Sequence, residues 1–225
     1  MRKLIFAVIM LSIFKFADAQ YVIADTVQLN ISFKKLLETP DSYEAQKSFL
    51  NAFPNNWIGF FNTYCSTAYE AEIIPQGISN LNQNVASHLN ALQDKLYLID
   101  DSTYCDRLIN LAVGATYRMD DEISGLLRDV MHRAVNGSRG DTMLRLASTL
   151  STPDQLMFWQ FYWSNTVDKS SGYKAFSELR TAMINAGYRH GAQLMSEAFA
   201  NFWGKTSFAR WFTVVGGEKY EGIRN

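Results

Sequence analysis

The run Thr152-Pro153-Asp154-Gln155-Leu156-Met157-Phe158-Trp159-Gln160-Phe161-Tyr162-Trp163 constrains this chain more than any other stretch. It opens with helix-start chemistry: Thr152 stands three positions before Gln155, and Pro153 fits the first helical position. Five aromatic residues then occupy six positions, Phe158 to Trp163. At about 100° per residue their side chains point in every direction around the axis. A helix apolar all round is one that other helices pack against. The segment therefore predicts a central core helix, and the competing reading is an exposed aromatic docking surface.

The remaining chain reads as helices joined by short turns. Gln20 to Asn30 lacks helical periodicity, and Val27, Leu29, Ile31 and Phe33 alternate, so residues 20–31 read as an extended lead-in passing into a short helix. Asp41 with Glu44 resembles a capping pair for a helix that Pro54 ends, and Asn55 or Asn56 can cap the next, which presents Trp57, Phe60 and Tyr64. Ile78, Leu81, Val85, Leu89, Leu92 and Leu96 predict one long amphipathic helix; packing within the chain fits it better than a coiled-coil dimer. Asp100 can cap a helix closed by Gly114, and Ile123 to Val135 mark another that Asn136-Gly137 ends. Asp141 can cap a short helix. Ser164 to Gly172 reads as a turn-rich loop, and two further stripes run from Tyr173 to Met183 and from Leu194 to Trp203, broken at Gly187. These patterns predict an all-α fold, a compact multi-helix domain of about eight to ten helices, with an α-solenoid-like stack of helix pairs as the minor alternative.

Met1-Arg2-Lys3, the apolar run from Leu4 to Phe14 and Ala17-Asp18-Ala19 have the order of a secretory signal, with cleavage expected before Gln20. The expected organisation is a cleaved signal peptide (1–19), the lead-in (20–31), one helical domain (32–215) and a frayed tail (216–225), the apolar segment through Val215 docking on the body. Such a protein is exported, periplasmic or secreted, with no membrane span once the signal is removed. Removal of residues 1–19 takes away three basic and one acidic residue and leaves a formal charge of −3. No basic stripe of a nucleic-acid binder is present.

Export makes pairing the default for the two cysteines, Cys65 and Cys105, and a disulfide is expected. In the chain-entropy model it would contribute on the order of 4 kcal/mol. Two inert buried thiols are the alternative, and a redox or metal pair fits less well without CxxC spacing.

The sequence carries few signs of chemistry. His88, His132 and His190 lie outside any HExxH pattern and read as surface or core-edge residues, so no metal site is expected. Asp100-Asp101 and Asp120-Asp121-Glu122 stand at helix starts, where capping explains them; the calcium-loop pattern is missing. GxSxG, P-loop and dinucleotide motifs are absent, and no cofactor is implied. Asn30-Ile31-Ser32 and Asn136-Gly137-Ser138 match the N-glycosylation acceptor.

The blocks Phe49-Leu50-Asn51-Ala52-Phe53-Pro54-Asn55-Asn56-Trp57 and Leu150 through Trp163 resemble a loose group of uncharacterised helical proteins with export signals, over roughly residues 43–203. The resemblance implies one helical domain and carries no activity. The function expected on these grounds is non-catalytic binding of another protein or an envelope component, with Trp57, Trp159, Trp163, Trp203 and Trp211 as core or interaction aromatics. The sequence does not specify the partner or the oligomeric state. The alternative is an exported hydrolase whose acid/base groups converge only in the fold, drawn from Asp101, Asp120, Glu122 and His132.

Overall fold

The computed structural model describes residues 24–64, 82–115, 122–164 and 169–203. Among them are ten α-helices, one 3-10 turn at Asn82–Asn84 and no strand: α1 (Thr26–Glu38), α2 (Tyr43–Ala52), α3 (Trp57–Tyr64), α4 (Val85–Asp94), α5 (Asp101–Val113), α6 (Glu122–Asn136), α7 (Gly140–Thr149), α8 (Thr152–Trp163), α9 (Lys169–Asn185) and α10 (Arg189–Trp203). The all-α expectation is met. No described helix is long and apolar enough to cross a membrane. The signal segment, the sequence around Ile78 and Leu81, and the tail from Gly204 lie outside the described residues.

The aromatic segment is the central helix. α8 packs most extensively on α10 and also meets α5, α6 and α7. A solenoid stacks each unit only on its neighbours, so contact between α8 and helices two and three positions away is that of a bundle. Every residue from Asp154 to Ser164 is at least half-buried. Phe161 meets Trp57 of α3 at 5.9 Å between ring centroids, Tyr162 meets His132 of α6 at 4.3 Å, and Trp163 meets Phe176 of α9 at 6.0 Å and Phe199 of α10 at 5.0 Å. Each side of α8 thus faces a different neighbour, which is why its apolar residues do not form a stripe.

Several local expectations shift. The start of α8 is displaced by one residue: Ser151, not Thr152, is the N-cap, accepting from the Asp154 N–H at 3.4 Å and donating its hydroxyl to the Asp154 carboxylate at 2.6 Å. This frees Gln155 to turn inward, where its amide donates to the carbonyls of Ser148 and Leu150 at 3.3 and 2.9 Å. The lead-in is helical from Thr26, with Asp25 as N-cap. Instead of an extended lead-in, Leu29, Ser32 and Leu36 face the core at helical spacing, while Val27 (67% exposed) and Ile31 (57%) lie outward.

At α2 the cap is Ser42, because Asp41 is engaged elsewhere. The long helix expected through Leu96 ends at Asp94, with Lys95 as its C-cap. α7 begins at Gly140 with Arg139 at the cap position, so Asp141 sits in its first turn rather than capping it. α9 starts at Lys169, inside the segment expected to be a loop, and residues 165–168 lie outside the description.

Other signals hold. Asn56 accepts from the Gly59 N–H at 2.8 Å and Asp100 from the Thr103 N–H at 2.9 Å, each at its helix start. Gly187 has φ +88° and ends α9: the Tyr188 N–H returns to Met183 O at 2.8 Å and its own N–H to Ile184 O at 3.0 Å, the paired bonds of a left-handed helix stop.

Candidate interaction site

Trp57, Trp159 and Trp163 are buried, so α8 does not present a docking surface and the core reading of the segment holds. Trp203 closes α10, and Trp211 lies outside the described residues.

The acid/base candidates that the structure describes do not assemble. Glu122 opens α6 and His132 lies ten residues along the same helix, about 15 Å of helical rise away. His132 serves the structure instead, for its Nε2–H donates to the carbonyl of Tyr162 at 2.7 Å, in the last turn of α8. Beside it Arg128 donates Nη1–H to Ser164 Oγ at 2.7 Å, and that hydroxyl donates to Phe161 O at 2.8 Å. Together they satisfy carbonyls at the helix end, and Arg128 places positive charge where the dipole favours it. Burial pushes the His132 pKa down, partly opposed by its bond to Tyr162. Asp101 is bound to Arg139, and Asp120 lies outside the described residues. Among the described residues, no cluster of three or more His, Cys, Asp or Glu side chains could hold a metal ion.

His88 departs most from its expected place at the core edge. It is fully buried, its Nδ1 paired with Tyr64 Oη at 2.8 Å and its ring edge-on to Phe33 at 4.4 Å and Phe49 at 5.9 Å. Its Nε2 is buried without a hydrogen-bond partner. Burial brings its pKa down to about 4.

What the sequence did not reveal is the clamp around residues 95–100. Arg139 reaches from the α6–α7 turn across its face. Its Nε–H donates to Asp101 Oδ1 at 3.0 Å, its Nη2 group donates to Leu96 O at 2.6 Å and Ile99 O at 3.2 Å, and the guanidinium lies 3.8 Å from the Tyr104 ring centroid. Planar, always charged and multiply bonded, Arg139 is a fixed part of the wall. From the other side the buried Gln46 donates to Pro40 O and accepts from the Leu98 N–H, both at 2.8 Å, tying the α1–α2 turn to the same loop. The Tyr97 hydroxyl donates to Asp41, which holds the phenol in its protonated form and raises its pKa.

This frame displays side chains that a folded interior would have taken in. Tyr97 is 52% exposed, Leu98 42% and Tyr43, two residues from Asp41, 46%. Tyr97 also lines a polar cleft of about 270 Å³, together with Asp101, Tyr104, Arg133, Ser138 and Arg139 among others. Arg133 is exposed in the last turn of α6. A tyrosine-rich rim on a rigid backbone beside an arginine-lined cleft has the composition of protein-binding surfaces.

Cys105 is a free, buried thiol whose Sγ lies 3.8 Å from Arg139 O, and burial pushes its pKa up to about 11. Its expected partner, Cys65, lies outside the described residues. A thiol so placed resists alkylation in the native state. In unreduced protein, Cys105 is expected to react with iodoacetamide only on unfolding, read by peptide mass spectrometry. Reaction that also requires a reductant would instead establish the disulfide.

No family model matches this chain, and no curated protein or solved structure matches it either.

Proposed function

We propose that this is an exported helical protein that binds another protein, and that the face formed by Tyr43, Tyr97 and Leu98 beside the arginine-lined cleft is where it does so. The observation that carries this reading is the clamp: Gln46 and Arg139 hold the 95–100 loop, on which Tyr97 and Leu98 stay exposed between Lys95 and Asp100. Ordering such side chains in advance lowers the entropic cost of docking, and tyrosine combines large contact area with a polar tip. The export part of the proposal rests on the signal-like order of residues 1–19. Among the described residues, the acid/base candidates supply no converging pair to set against it.

The test uses the mature protein as it is recovered from the cell envelope or medium, with its N-terminus expected at Gln20. Crosslinking in envelope extract should trap a protein partner with the wild type and lose it with Tyr97→Ala/Leu98→Ala, whose helical circular dichroism should match the wild type. Undiminished trapping by that variant would remove this face from the proposal.

A further inference from the structure

The cleft narrows the chemistry of the partner. Arg133 and Arg139 both line it, and of the carboxylates near them Asp101 is bound by Arg139, Asp41 accepts from Tyr97 and Asp94 accepts from Gln93. Arg139 spends Nε and Nη2 on Asp101, Leu96 and Ile99 and also engages the Tyr104 side chain, so its charge stands at a fixed place in the wall. Arg133 makes no ion pair or side-chain hydrogen bond among the described residues, and Ser138 adds an exposed hydroxyl to the lining. One guanidinium is therefore fixed by four contacts while the other is free to move, and both face a space of about 270 Å³. That space stands at the lower end of the range of ligand pockets, about 300–1,000 Å³, and is large enough to admit a side chain. A planar carboxylate is the group that an arginine fork receives best. Next to the cleft, Tyr97 and Leu98 offer apolar area to a neighbouring residue.

We infer that the cleft receives an aspartate or glutamate side chain of the protein partner, its carboxylate between Arg133 and Arg139, with an adjacent aromatic or aliphatic residue on Tyr97 and Leu98. This rests on the reading of the face as a binding surface and specifies what binds there: an acidic residue next to an apolar one.

The probe is the blocked dipeptide acetyl-Asp-Phe-amide, titrated into the full-length mature protein labelled with nitrogen-15. Saturable shifts are expected at the backbone amides of Ala134, Gly137 and Ser138 and at the Arg139 Nε–H. Acetyl-Asn-Phe-amide should produce none. Arg133→Gln, an exposed substitution that leaves the Arg139 clamp intact, should weaken the dipeptide about tenfold, the scale of one hydrogen bond to a charged group. Equal shifts from the asparagine peptide, no shift at any attainable concentration, or tighter saturation by inorganic phosphate would each overturn the assignment. In envelope extract, Arg133→Gln that still traps its partner, with no dipeptide shift in the wild type, overturns the carboxylate site and leaves the binding face standing. A dipeptide response without any trapped partner supports the site and counts against the wider proposal.

Discussion

Replacing Trp159 with alanine is expected to destabilise the protein by about 3–5 kcal/mol. The indole is fully buried, edge-on to Phe158 at 4.8 Å and Tyr162 at 5.7 Å, on a helix packed against α5, α6, α7 and α10. Truncation removes apolar surface and leaves a cavity that α5, α6, α7 and α10 cannot all close at once, since each is fixed by its own packing. The indole N–H sharpens the prediction, because Trp159 Nε1 is buried without a hydrogen-bond partner. Trp159→Phe forfeits no hydrogen bond there and should cost only about 1–2 kcal/mol, from lost volume. Urea unfolding followed by helical circular dichroism measures both. A loss below about 1 kcal/mol for the alanine variant would show that the helix is not the packing centre.

Acid should weaken the fold through His88. Its native pKa of about 4 lies below the 6.5 of an unperturbed histidine because burial disfavours the charged ring. Above pH 6.5 the ring is neutral in both states, and its contribution to stability is fully present. As the pH falls from 6.5 to about 4, the unfolded chain takes up a proton that the native state refuses, so stability declines across this window and levels off below it. The total loss should be about 2–3 kcal/mol after allowance for solvent screening. Whichever tautomer is present, protonation leaves the Nε2–H among Phe33, Phe49 and Tyr64 with no acceptor. His132, also shifted downward by burial, acts in the same direction. Urea midpoints at pH 7.5 and 4.5 read the effect. His88→Asn removes the titration while keeping an acceptor for Tyr64, and it should flatten this part of the profile; an unchanged slope would assign the acid sensitivity to other groups.

The legible parts of the fold were those set by near neighbours in the chain. Asn56, Asp100 and Gly187 act within three to five residues, through an acceptor at a helix start or a backbone free to take positive φ, and the structure uses all three as expected. Where two local solutions had equal chemistry, a distant contact chose between them. Ser151 with Asp154 competes with Thr152 with Gln155 for the start of α8, and burial of Gln155 against Ser148 and Leu150 decides for the first. The apolar alternation in α1 fits a strand as well as a helix until packing on α2 selects Leu29, Ser32 and Leu36.

The candidate site was almost invisible. Asp101 was singled out, but for a carboxylate role; its partner Arg139 is 38 residues away and Arg139 reaches Leu96 across 43. No spacing rule connects such residues. Tyr97 and Leu98 lie past Leu96, the last residue of the apolar period, and no spacing rule speaks for them; the helix stops at Asp94 and both are exposed on the loop that follows.

By itself, then, the sequence determined that the chain is helical and that α8 is its centre, because hydrophobic period, caps and full-circle aromatic content are properties of segments of a dozen residues. The tertiary structure decided which polar groups became clamps, which histidine became buried and which tyrosines stayed at the surface. Those outcomes depend on desolvation and on hydrogen bonds between residues tens of positions apart, and both come into being only when the helices pack.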